Sequence, residues 1–473
     1  MQEKRPLVVV AGANGFIGRA LVSALAARFE VIGLSRSASA KLPVPVRACD
    51  LMRLEDALRA LEGAELAVYL VHSMMPSDRL VQGEFQDIDL LAADNFARAA
   101  AAAGVRQIVY LGGLAPVEGE PSAHIASRIE VESALGAYGV PVTTLRAGLV
   151  FGPGGSSSRI VFNLARRLPV MVCPRWTATP TQPIALEDAV ALIAAVLDRP
   201  ETFGQTHDIG GPEVMSYRAM MELVGEAVLG RKPLAVGVPV LTPGLSRLWV
   251  SLVTGAPKAL VEPLIGSLAH PMLARDRHLQ EALGVPGRSM REVLPQAVAA
   301  DADAGTPRAF EGAKVKREEA SRVRSIQRLS LPPGEHAADV AERYFQWLQS
   351  TFGAVLRVSY RDGAWQLGLR LGSVTLLVLA PTTRSADRVV LRIAGGVLAR
   401  GEDAEGTFEI REVLGGRALL AAIADYEPRL PWWLYLGTQA QAHRLVMTLF
   451  GRHLARGPRE HLPAGERVMA AVS

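Results

Sequence analysis

The chain reads as an α/β protein: a doubly wound parallel sheet with a small substrate-side lobe, followed by a separate C-terminal α+β domain. Three observations predict this. A wholly apolar run, Leu7 to Ala11, leads into glycines spaced G-x-x-G-x-x-G (Gly12, Gly15, Gly18) and then into a helix-forming stretch. Strand and helix signals alternate from there to about residue 145. Beyond residue 322, successive strand signals replace the alternation.

The first strand is short and β-branched, as a buried parallel strand is, and the helix after it is expected over Arg19 to Phe29. Between them Gly12 allows a tight turn, Gly15 lets backbone approach a pyrophosphate, and Gly18 lets helix and strand pack closely. The free N–H groups of the helix N-terminus attract phosphate, so the order strand, glycine turn, helix suits a dinucleotide. Asn14, Phe16 and Ile17 complete the turn. The second strand, Val31 to Arg36, ends in Ser35 and Arg36 where an NAD-preferring site carries an acidic residue roughly 20 residues past the glycines. A guanidinium there suits a 2′-phosphate, so NADP(H) is expected over NAD(H). The third strand, Val46 to Ala48, runs into Asp50 and Leu51, where the carboxylate either accepts from the adenine amino group or closes an ordinary turn.

A fourth strand is expected over Ala67 to His72, a helix from about Gly83 to Ala103, a fifth strand over Gln107 to Leu111, a helix from about Ser127 to Ala137, and a sixth strand over Val142 to Leu145. Ligands of such sheets bind beyond the carboxyl ends of the strands. Val71, His72, Ser73 and Met74, then Gly112, and then Ala147 and Gly148 therefore wall the expected cleft.

At 473 residues the chain is too long for one core. Its formal charge of +4 comes from scattered arginines without a basic run interleaved with aromatics, which speaks against a nucleic-acid partner. Cys49 and Cys173 are the only cysteines and have no metal-ligand spacing; no disulfide and no metal are expected, in keeping with a reducing cytoplasm. No small-residue cleavage site follows Lys4 and Arg5, and no uncharged apolar run reaches about 18 residues, so neither a signal peptide nor a membrane span is expected.

These residues carry a resemblance. AGANGFIG (11 to 18), YLVHSM (69 to 74), Asn95, YLGGL (110 to 114), HIASRIEVE (124 to 132), LRAGLVFGPG (145 to 154) and PRWTATPTQPIALEDA (174 to 189) resemble an atypical, extended short-chain dehydrogenase/reductase. Within it the chain is similar to the YbjT-like NAD(P)-binding proteins related to the accessory NAD(P)-binding subunit of respiratory complex I. The resemblance covers about residues 1–300, with the lobe at about 153–300, and implies a Rossmann domain binding NADP or NAD. It also exposes a departure. Ordinary members place Tyr-x-x-x-Lys on the helix after the fifth strand, where this chain has His124 and Arg128, and a Ser where it has Gly112 or Gly113. The usual proton-transfer set is absent. An imidazole is still a candidate general acid and a guanidinium a candidate ribose grip, although arginine exchanges no protons; the alternative is that both line a cofactor cradle.

In the lobe, Pro174 to Thr177 and Thr181 to Ile184 flank a loop that closes over substrate in extended members; Arg175 and Trp176 are candidates to bind an acidic or aromatic ligand, with core packing the alternative for Trp176. A helix is expected over Ser216 to Val228. Pro239 to Met272 is the most apolar stretch: lobe core, a hydrophobic tunnel or a membrane-surface face. Residues 301–322 are polar and read as a linker to a domain at 323–473. That domain is expected to hold strands 356–360, 365–371, 374–380, 389–393, 407–413 and 418–426, with hairpin signals at Asp362-Gly363 and Gly415-Gly416. Helices over Ala337 to Gln349 and Thr438 to Ala455 bracket them, an order that resembles the START-like helix-grip fold, with Trp432, Trp433, Tyr435, Gln439 and His443 clustered near the last helix. Two functions stay open. One is an NAD(P)-binding, chiefly NADP(H)-binding, protein with a redox-sensing or an assembly or stability role; the other is an NADP(H)-dependent oxidoreductase acting on an apolar carbonyl or quinone-like small molecule.

Overall fold

The computed structural model describes residues 4–38, 40–72, 81–116, 118–167, 170–238, 251, 266, 268, 270–303, 322–400 and 406–456. The chain divides into two compact units, one of residues 1–78 and 88–314 and the other of residues 79–87 and 315–473.

In chain order the strands up to residue 238 are β1 (Leu7–Ala11), β2 (Glu30–Ser35), β3 (Val46–Ala48), β4 (Leu66–Tyr69), β5 (Val81–Gln82), β6 (Gln107–Gly113), β7 (Val142–Ala147), β8 (Val150–Phe151), β9 (Val170–Pro174), β10 (Pro180–Thr181), β11 (Ile184–Ala185), β12 (Thr206–Ile209), β13 (Met215–Ser216) and β14 (Leu234–Val238). The helices are α1 (Phe16–Leu25), α2 (Leu54–Leu61), α3 (Phe85–Ala102), α4 (Ala123–Leu135), α5 (Ser156–Arg167), α6 (Leu186–Val196) and α7 (Tyr217–Leu229). Seven strands form one parallel sheet in the order β12-β7-β6-β4-β1-β2-β3. The order reverses direction at β1, so the sheet is doubly wound and the crevice at that reversal lies where the glycine turn leaves β1. Val8, Val10, Leu21, Val22, Leu145 and Ile193 form one buried cluster, which seats α1 and α6 on the sheet. The lobe has its own core of Phe151, Phe162, Tyr217, Met220, Val224 and Leu294, and Trp176 packs against it.

Several boundaries differ from the sequence reading. Helix α1 starts at Phe16, directly after Gly15 as N-cap, and ends at Leu25. Helix α4 starts at Ala123 because the Ser122 hydroxyl accepts from the Ile125 N–H at 3.4 Å, which caps the helix four residues before Ser127. Helix α2, with Glu55 and Asp56 in its first turn and Leu54, Ala57, Ala60 and Leu61 buried, went unread, as did β12. Most of Pro239–Met272, most of the 301–322 stretch, and Ser73 and Met74 lie outside the described residues.

The second unit is an eight-stranded sheet. Its strands after residue 322 are β15 (Val323–Leu329), β16 (Leu356–Arg361), β17 (Ala364–Leu369), β18 (Thr375–Arg384), β19 (Arg388–Gly395), β20 (Thr407–Val413) and β21 (Ala418–Tyr426). The order is β16-β17-β18-β19-β20-β21-β15-β5, antiparallel throughout except at one edge, where β5 runs parallel to β15 with Arg324 opposite Val81. Asp362 and Gly363 sit at φ 53° and 75°, the left-handed pair that a two-residue hairpin needs. The helices Ala337–Phe352 and Gln439–Ala455 bury Tyr344, Phe345, Trp347 and Phe450 in the core with Phe408, and Trp365 stacks on Phe345 at 4.2 Å. Arg328 bonds to Asp87 at 2.9 Å, fixing the residues next to β5.

Candidate functional site

The glycine turn is built as its residue types demand. Gly12 has φ +82°, and a Cβ there would stand 3.0 Å from the Leu70 carbonyl, so the backbone of β4's end passes against it. A Cβ on Gly18 would lie 2.2 Å from the Gly12 oxygen: the helix is pressed onto the turn as closely as glycine permits. Gly15 N–H closes the turn on Gly12 O at 2.9 Å, and Gly15 caps α1 with no side chain of its own. The N-terminal N–H groups of α1 are thereby left to a ligand. Phe16 lies against Gly152 and Gly155, joining the turn to the start of the lobe, and Ile17 packs on the sheet's core. Arg19, which the sequence reading passed over, reaches back to the Asn14 carbonyl at 3.1 Å, to the Asn14 side chain and to Lys41 O at 3.3 Å. Its position directly after the third glycine was the available signal.

Ser35 ends β2, its hydroxyl accepting from Ser37 N–H at 3.3 Å, and Arg36 is exposed beside it. Asp50 closes a turn by accepting from Met52 N–H at 3.2 Å, and Asn95, fully buried on α3, donates to Leu51 O at 2.8 Å. That bond fixes the loop after β3, a role for Asn95 that spacing alone does not disclose. Cys49 is buried beside Asp56 and Asp50; burial first and those carboxylates second push its thiol up to about 12, which leaves it unreactive.

Across the reversal, β4, β6 and β7 carry Val71 and His72, Gly112 and Gly113, and Ala147 and Gly148 at or just beyond their carboxyl ends. Gly113 ends β6 opposite Ala147, and a Cβ there would meet Ile125 Cδ1 at 3.0 Å and Arg128 Cγ at 3.6 Å. Packing under α4 thus occupies the space a serine side chain would need. On α4, His124 and Arg128 are one turn apart on one face. Arg128 is turned inward: Nη2 pairs with Asp89 Oδ2 at 2.9 Å, both side chains nearly fully buried, and Nη1 donates to Val71 O at 3.4 Å. His124 is half-buried with Nδ1 lacking a protein partner. Burial, then the Arg128 and His72 charges, hold its imidazole down at about 3, so it is neutral at physiological pH. Under this face, Tyr69 packs on Phe96 at 5.0 Å and Tyr110 donates to Arg128 O at 3.2 Å.

In the lobe, Trp176 packs edge-on against Tyr217 at 6.3 Å and Arg175 is exposed. In the second unit, Gln439 bonds to the Tyr426 hydroxyl, while Gln439 Oε1 and His443 Nε2 are buried without protein partners; the side chains of Trp432 and Trp433 lie outside the described residues. Among the described residues no group of three or more His, Cys, Asp or Glu is placed to hold a metal, and no helix is long and apolar enough to cross a membrane.

A parallel sheet reversing at a strand–glycine–helix turn, with α1's N-terminus left for phosphate, defines an NAD(P)-binding Rossmann protein. The chain belongs to the NAD dependent epimerase/dehydratase family, whose profile matches residues 8–210, and among its members it is an atypical short-chain dehydrogenase/reductase. It is 30% identical over 270 residues to a ceramide reductase of Caulobacter vibrioides, covering 53% of this chain and 80% of that protein. It is 31% identical over 153 residues to the auxiliary protein GraX of Staphylococcus aureus, covering 31% of this chain and spanning 45% of GraX. Among solved structures it is similar to an NADPH-dependent quinone oxidoreductase of Escherichia coli complexed with NADPH (TM-score 0.49, 18% identity, 61% of this chain and 98% of that one). A nucleoside-diphosphate-sugar epimerase of Staphylococcus aureus matches comparably (TM-score 0.49, 15% identity, 61% and 99%).

Proposed function

We propose that this chain binds NADP(H) in preference to NAD(H), through the turn Gly12 to Gly18, through Ser35 and Arg36, through Asp50 and Leu51, and through the strand ends Val71, His72, Gly112, Ala147 and Gly148. Its role in this reading is to sense the redox state of the cofactor or to serve in assembly or stability. One observation carries the functional half: His124, where the family places a proton-moving tyrosine, is held neutral at about 3. Across about pH 5–8 it is a hydrogen-bond partner and not a ready proton donor. Arg36 carries the cofactor half, standing exposed at the end of β2 where an acidic residue would select the ribose 2′-hydroxyl.

Calorimetric titration tests the preference. NADPH should bind more tightly than NADH, and Arg36→Ala should remove a charge-assisted contact worth roughly 1.5–3 kcal/mol, about one to two decades in affinity. Equal affinities for both cofactors in the unaltered protein reject the preference.

A second reading, a reductase acting on an apolar carbonyl or quinone-like compound held by the lobe, is favoured by the ceramide reductase among its relatives. A neutral imidazole can still polarise a carbonyl by donating an N–H. NADPH oxidation over a panel of long-chain ketones, enones and quinones, abolished in His124→Ala while cofactor still binds, establishes this reading over the first.

A further inference from the structure

We infer that Arg128 is a positioning residue: with Asp89 it locks the carboxyl end of β4 to α4, and so sets where His124 and the Val71–His72 wall stand, instead of gripping the cofactor ribose itself. The affinity part of this inference rests on the nucleotide reading above.

Two contacts converge on the guanidinium and two more on the rest of the residue. Its Nη2 meets Asp89 on α3 and its Nη1 meets the Val71 carbonyl just past β4, at 2.9 and 3.4 Å. The Arg128 carbonyl receives the Tyr110 hydroxyl of β6 at 3.2 Å, and its Cγ lies against Gly113. One residue therefore ties α4 to α3, β4 and β6. A lysine in this place offers a compact, rotatable charge on a long stem, whereas the planar fork of arginine holds a carboxylate and a carbonyl at once. Asp89 is 1% exposed on its side chain and Arg128 8%, so withdrawing either from the pair would leave its partner a buried uncompensated charge. His124 precedes Arg128 by one helical turn, and the charged and titratable groups that act on it are Arg128 on its own helix and His72 at the end of β4, with Asp89 of α3 neutralising Arg128 from behind. The clamp thus fixes the Val71–His72 segment and the His124 turn of α4 through a backbone carbonyl and a helix.

A double-mutant cycle on the full chain tests it, using Asp89→Asn and Arg128→Lys, with Asp89→Leu/Arg128→Met as an apolar replacement that removes both charges together. Positioning predicts that Asp89→Asn and Arg128→Lys each weaken NADPH binding by at least about tenfold and that their effects do not add, because either one opens the same clamp. Direct ribose contact predicts the reverse: Arg128→Lys keeps the affinity, as the family's lysine would, and Asp89→Asn changes it little. Either result overturns the inference. A second readout needs no cofactor. In the Asp89→Leu/Arg128→Met protein the His124 imidazole, followed by NMR, should titrate upward because the Arg128 charge that helps hold it down is gone; an unmoved titration also overturns it. If the unaltered protein binds neither NADPH nor NADH, the nucleotide reading fails, and the NMR arm still decides the position of Arg128 relative to His124.

Discussion

At the scale of single residues, the family's usual motif positions were legible and their states were not. The spacing put His124 and Arg128 on one face of α4, because residues four apart on a helix share a face in any structure. What spacing did not show was the direction of the Arg128 fork, which depends on an aspartate 39 positions earlier on another helix. Nor did it show that burial keeps His124 uncharged. The sign of that effect fixes a prediction. Folded His124 takes up a proton only near pH 3, whereas in the unfolded chain it does so near its ordinary value of 6.5. Between those values the unfolded state binds more protons, so stability rises with pH across the window and is lost as pH falls through it. His124→Gln should therefore lose less melting temperature than the unaltered protein between pH 7 and pH 4. An identical acid sensitivity in both proteins would show that His124 is not buried in its neutral form.

At the scale of elements, apolar periodicity and glycine placement located β1–β4, β6, β7 and β16–β21, and two of the misses share a cause. Helix α2 has mixed, charged composition and only four buried positions, and β12 (THDI) carries three polar residues, so each owes its form to tertiary packing more than to its own pattern. The β15 segment lay inside the expected second domain but was not read as a strand, because two arginines dilute it; both, Arg324 and Arg328, are paired, with Asp425 and Asp87. The glycine turn, by contrast, was legible to the atom. Gly18→Ala places a Cβ 2.2 Å from the Gly12 oxygen and should cost ~1–3 kcal/mol of stability by forcing α1 from the sheet, with nucleotide binding lost alongside. Gly237→Ala, with no atom within 4 Å of its Cβ, should stay within about 0.5 kcal/mol of the unaltered protein. Thermal unfolding of the two variants checks the contrast, and equal stabilities would mean that α1 gives way freely.

At the scale of the whole molecule, the second unit is not a simple C-terminal appendage, since residues 79–87 belong to it. A fragment of residues 315–473 keeps seven of its eight strands and its aromatic core, and should unfold in one cooperative transition. It lacks β5, however, so the backbone of β15 at Arg324 and Ser325 loses its partner and leaves β15 an uncovered edge, the kind that templates pairing between molecules. The fragment should self-associate in analytical ultracentrifugation, and a synthetic peptide of residues 79–87 should reduce that association. A monomeric fragment indifferent to the peptide would show that β5 protects nothing. The pairing of β5 with β15 also imposes an order in time. Its two strands are about 240 residues apart in the chain, so a ribosome making this protein releases β5 long before its partner exists. The seven-stranded sheet is complete once β12 has emerged, while the second sheet must wait for the last third of translation and then recover a segment already woven out of the first. A product truncated before β15 would carry a complete glycine turn and a β5 segment without its partner strand.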